Sequence, residues 1–95
     1  MFNNNRYLTR GISSEIPIEF QLFMWSCIDA LPLERDYFQV FELSSVNNSF
    51  QRIHHFSEQP EYSMEYLIPA ETFITAKVYV IDDGDHSTML LAEEY

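Results

Sequence analysis

The sequence predicts an α+β fold, with a single N-terminal helix packed on an antiparallel sheet of about five strands in β-α-β-β-β-β-β order. Three observations point there. The stretch 17–31, PIEFQLFMWSCIDAL, has no glycine and no proline after its first residue, as a helix interior requires. From residue 36 onward, short runs rich in aromatic and β-branched residues are separated by turn residues, as strands are. The chain is 95 residues long, 46% hydrophobic and 16% aromatic, which suits one domain (1–95) with one core and is too apolar for a disordered chain.

Residues 1–5, rich in asparagine, are expected to be disordered. RYLTRGI (6–12) reads as a short strand closed by Gly11. Pro17 suits the first turn of a helix, and Pro32 stops that helix near Leu31. DYFQVFEL (36–43) is an aromatic-rich strand, SSVNNS a polar turn, and FQRIHHF (50–56) the returning strand of a hairpin. Pro60 breaks the next loop, SMEYLI (63–68) is a further strand stopped by Pro69, and FITAKVYVI (73–81) is the strongest strand. Within it, Ile74, Ala76, Val78 and Val80 share the face assigned to the helix, while Phe73, Lys77 and Tyr79 face away. Asp83-Gly84 is a tight-turn pair, and STMLLAEE (87–94) pairs back.

Net charge limits the partners. It is −10 overall, but residues 1–52 carry six acids and four arginines, for −2, and residues 53–95 carry nine acids and one lysine, for −8. Such a surface repels phosphate backbones and anionic membranes, so no direct nucleic-acid binding and no membrane binding are expected. It is compatible with a basic partner protein, or serves only to keep the chain soluble. Cys27 is the only cysteine, so no internal disulfide forms, which fits a reducing compartment. MFNNNRY lacks the pattern of a secretory signal, and no stretch reaches the length of a membrane span, so a cytoplasmic location is expected.

The helix is more apolar than one sheet needs. At about 100° per residue, Phe20, Phe23, Met24, Cys27 and Leu31 cluster, and Ile18, Trp25 and Ile28 extend the arc to roughly 220°. Glu19 and Ser26 mark a polar line, with Gln21 and Asp29 as interruptions. Either loops or the N-terminal strand cover the surplus, or Ile18, Leu22 and Trp25 meet a second chain.

The candidate chemistries are weak. QRIHHFSEQPEY (51–62) places His54 and His55 side by side, but adjacent strand residues point to opposite faces, so the two cannot ligate one metal ion. In DDGDHS the calcium-loop spacing fails, because the first and third ligand positions fall on Tyr79 and Ile81. Cys27 lies in the apolar arc, where a thiol behaves as a small hydrophobe. Glu58, Glu61, Glu65 and Glu71 read as a solvated rim. Two glycines allow no glycine-rich phosphate loop. No catalytic residue, metal ligand or cofactor is therefore assigned. Arg10 is left either an internal salt bridge or an anion contact.

RYLTRGI, then IP opening an apolar helix that contains MW and ID, then DYFQVFEL, then QRIHHFSEQPEY form an ordered set. Over residues 6–81 the chain resembles a bacterial family of small proteins grouped as a domain of unknown function, number nine-sixty. The resemblance implies a small cytoplasmic bacterial protein and carries no activity, cofactor or catalytic residue. The functional expectation is a non-enzymatic protein-interaction module, self-associating or binding a basic partner protein, with Ile18, Leu22 and Trp25 as anchors. The alternatives are an acidic decoy occupying the nucleic-acid site of a basic enzyme, and a small enzyme or metal site around His54 or His55.

Overall fold

The computed structural model describes residues 1–95. In chain order it contains β1 (Asn5–Leu8), α1 (Arg10–Glu15), α2 (Ile18–Asp29), β2 (Phe38–Val46), β3 (Phe50–Glu58), β4 (Glu61–Pro69), β5 (Ala76–Asp82), β6 (His86–Leu91) and a closing 3-10 turn, Ala92–Glu94. The α+β class holds, with two corrections. There are two helices, and the six-stranded sheet, ordered β1-β6-β5-β2-β3-β4, is mixed because β1 lies parallel to β6. All other neighbouring pairs are antiparallel.

The second helix comes from the stretch expected to be one strand. Thr9 donates its N–H to the Met89 carbonyl, at 3.1 Å, and its hydroxyl accepts from Ile12 N–H, so it closes the ladder and caps α1. Glu94 completes the cap from the far end of the chain, accepting from Thr9 Oγ1, Gly11 N–H and Leu91 N–H. These donors, the Thr9 hydroxyl first, hold its carboxyl below the usual carboxylate range. A Cβ on Gly11 would sit 2.7 Å from that carboxyl group, so a larger residue would have to push the Glu94 side chain off its donors.

The start of the chain is not loose. Phe2 is 1% exposed and its N–H donates to Asp82 Oδ2 at 2.6 Å. Asp82 also accepts from Asn4 Nδ2 and Gly84 N–H. Burial opposes ionisation of Asp82, but these donors and the N-terminal charge outweigh it and hold the carboxyl low. The β2–β3 turn uses Asn47 and Asn48, both at φ +52°, the left-handed pair that a tight hairpin demands.

Period two sorts the side chains. Phe41, Leu43, Ile53, Val78, Val80, Met89 and Leu91 face the helices and join Ile12, Ile16, Phe20, Met24, Cys27, Ile28 and Leu31 in one core. Gln51, fully buried among them, bonds the N–H and carbonyl of Ile74 and so ties the β4–β5 crossing to the sheet. The shortest molecular extent is 20 Å, room for one sheet and one helical layer. The other face of the sheet has no helical layer, and the C-terminal Tyr95 lies over part of it, its ring against Phe38 and Tyr79.

Candidate functional site

The outer stripe of α2 is built by what its inner side does. Gln21, 5% exposed, donates to the Ile12 and Ile16 carbonyls and so satisfies the end of α1. That contact fixes the rotation of α2, with Phe20, Met24, Cys27 and Ile28 buried. Ile18 and Leu22, one turn apart, then stand outward, each 62% exposed. Trp25 is half-buried beneath Arg6, whose guanidinium lies 4.7 Å from the ring centroid and also pairs with Asp29. Leu8 of β1 shares a shallow groove of about 480 Å³ with Ile18, Gln21 and Glu15. Glu19 and Asp29 are exposed on the same helix.

The three predicted anchors are thus on one helix. Two stand free, and the third is covered on one ring face by β1. Arg10 opens α1, exposed, and its side chain makes no ion pair or hydrogen bond within the chain. The internal salt bridge considered for it is not formed.

His54 and His55 lie on opposite faces of β3. His55 is fully buried and stacked on Phe41 with ring centroids 4.2 Å apart. Its Nε2 lies 2.7 Å from Gln39 Oε1. Gln39 spends its amide on the Asp36 carbonyl, so Oε1 must accept and His55 must donate. Nδ1 then has no hydrogen-bond partner. Burial, with the neighbouring His54 adding, pushes the imidazole down to about 4. A neutral ring sealed from solvent has no route to a substrate.

His54 faces the open side, with Ser63 Oγ 2.9 Å from Nε2 and Glu42 Oε1 3.6 Å from Nδ1. The connectivity is that of a nucleophile, a base and an orienting acid, but the His54–Glu42 distance exceeds a hydrogen bond. The main cleft on that face, about 650 Å³ and walled by Phe38, Val40, Phe56 and Tyr79, contains neither Ser63 nor His54. A nucleophilic site needs walls and oxyanion donors around the reacting atom, and the strand surface supplies no enclosure there. No three His, Cys, Asp or Glu side chains converge as metal ligands. Cys27 is 4% exposed, its thiol raised by burial and partly relieved by a hydrogen bond with Tyr66.

Sequence reasoning missed Arg6, Leu8 and Gln21 as parts of the α2 surface. The only local signal was an arginine and an apolar residue alternating in RYLTR, which places both on one face of β1.

No helix is long and apolar enough to cross a membrane. No curated protein matches the sequence. A solved structure described as that of a protein of unknown function from Enterococcus faecalis is similar at 24% identity, covering 97% of this chain and 91% of the other, with a TM-score of 0.81. That likeness establishes a shared fold. A family described as Staphylococcal protein of unknown function (DUF960) matches residues 5–94, from β1 through the closing turn. With the match spanning nearly every element of the fold, the chain belongs to that family.

Proposed function

We propose that the protein is a non-enzymatic, cytoplasmic interaction module that docks a basic partner protein on the outer stripe of α2. The observation that carries this reading is the exposure of Ile18 and Leu22, 62% each and one turn apart. Fully burying a side chain of this size is worth about 1.5–3 kcal/mol, so the pair provides a useful share of a micromolar affinity. Trp25 is the natural third contact, since tryptophan anchors interfaces and this one is only partly buried, packed on the core with Arg6 over its ring. Glu15 and Glu19 beside the stripe favour a partner carrying lysine or arginine and speed its approach.

Trp25 is the only tryptophan, so its emission reports this surface alone. A synthetic helix of lysine and leucine at amphipathic spacing is expected to shift that emission on titration, and to bind more weakly as salt rises. The double variant Ile18→Ser, Leu22→Ser is expected to weaken binding at least about tenfold while changing unfolding stability by less than about 0.5 kcal/mol. Unchanged binding by the double variant, or a loss of stability of core size, would remove the stripe as the docking surface.

A further inference from the structure

We propose that the face of the sheet turned away from the helices packs against the same face of a second copy of this chain. This surface lies opposite the α2 stripe and is independent of it. Its strands set one row of charges side by side. Lys77 pairs in register with Glu42, Glu42 with His54, and His54 with Glu65. Lys77 Nζ lies 4.0 Å from Glu42, and Arg52 lies 2.7 Å from Glu65. Away from the β3–β4 tip, where Glu58 and Glu61 sit, two carboxylates on this face meet two cations and the charges cancel.

That balance is unusual for a chain of net charge −10. Two such molecules repel over most of their surfaces, and the paired charges at the centre of this face reduce that repulsion where the copies meet. A nucleic acid would meet no excess of cations there.

The row is also complementary to its own reverse. A two-fold axis parallel to the strands, midway between β2 and β3, exchanges β5 with β4 and β2 with β3. Lys77 of one copy then faces Glu65 of the other, and Glu42 faces His54. The next row in register, Tyr79, Val40, Phe56 and Ser63, brings Val40 over Phe56. Sheets pack in this aligned manner about 10 Å apart. The axis overlaps β5, β2, β3 and β4, four strands about 4.8 Å apart and up to nine residues long, so each copy gives roughly 500–600 Å², at the low end of specific interfaces.

Light scattering over a concentration series tests this. The expected mass is twice that of the 11.3 kDa chain. K77E alone sets like charges opposite each other across the two-fold, and so does E65K alone. Each is expected to weaken self-association at least about tenfold. An equimolar mixture of the two variants restores opposite charges at both contacts and is expected to recover the dimer mass. Circular dichroism melts should show both variants folded, because both residues are exposed. A wild-type protein that stays monomeric to about 1 mM would overturn the proposal. So would single variants that stay dimeric, or a mixture that stays monomeric. The double variant of Ile18 and Leu22 is expected to leave the dimer intact. Loss of the dimer there would assign self-association to α2 and overturn the sheet-face dimer, leaving the α2 stripe as a contact surface.

Discussion

Asp82→Ala is expected to cost about 3 kcal/mol of unfolding stability, measured by urea denaturation. The carboxylate is 7% exposed and accepts from Phe2 N–H, Asn4 Nδ2 and Gly84 N–H. Alanine leaves the buried Phe2 donor unpaired, and an orphaned buried donor costs about 1–3 kcal/mol before the other bonds are counted. The Phe2 ring, 1% exposed, is held by the same contact, and its release would add the loss of a buried aromatic. Asp82→Asn keeps one acceptor oxygen and should cost less. The carboxyl is held low in the fold, so its contribution is present above the ordinary carboxylate value near 3.9 and fades as pH falls through the folded value. Asp85→Ala is the control, since that carboxylate is exposed and its side chain makes no hydrogen bond or ion pair. An Asp82→Ala change of under about 0.5 kcal/mol would show that the N-terminal segment does not depend on this contact.

Stability is also expected to fall between pH 6.5 and about 4, the interval set by His55. An imidazole held neutral in the fold protonates more readily in the unfolded chain. The unfolded state therefore binds more protons below pH 6.5, and stability is complete above that value. It declines as pH drops and levels off once the folded ring also protonates, near 4. The full decline is about 3 kcal/mol. Carboxylates held low, such as Asp82 and Glu94, lose their contributions only at more acid pH, so the two phases separate. His55→Leu combined with Gln39→Leu removes both partners of the buried hydrogen bond and should flatten the upper phase. Chemical denaturation at half-unit pH steps would show it. An unchanged slope in the double variant would mean that another group titrates there.

The sheet was legible where local pattern and tertiary need agree. Val78 and Val80 are buried and Lys77 is exposed, as period two requires. The hairpin turn at Asn47-Asn48 falls where polar turn residues interrupt two strands. The face assignment of His54 and His55 came from the same alternation. What was not legible depends on contacts distant in sequence. RYLTRGI splits into strand and helix because Glu94 caps it from more than eighty residues away. The parallel pairing of β1 with β6 joins opposite ends of the chain, which no local period encodes. Phe2 looked loose because asparagines follow it, and its anchor is again remote, at Asp82. At the α2 surface, the excess of apolar residues was legible, and Ile18 and Leu22 are the ones left exposed. The shielding of Trp25 was not, because it needs Arg6 brought alongside by β1.

The most direct test of docking on α2 is a photo-crosslinking amino acid placed at position 22 in cells that express the protein natively, with the exposed position 72 as control. Capture of a basic protein is expected at position 22 and not at 72, through a segment that carries lysine or arginine beside apolar residues. Loss of that capture is expected when Ile18→Lys is added. The same products at both positions, or capture at 22 that survives Ile18→Lys, would contradict docking on α2.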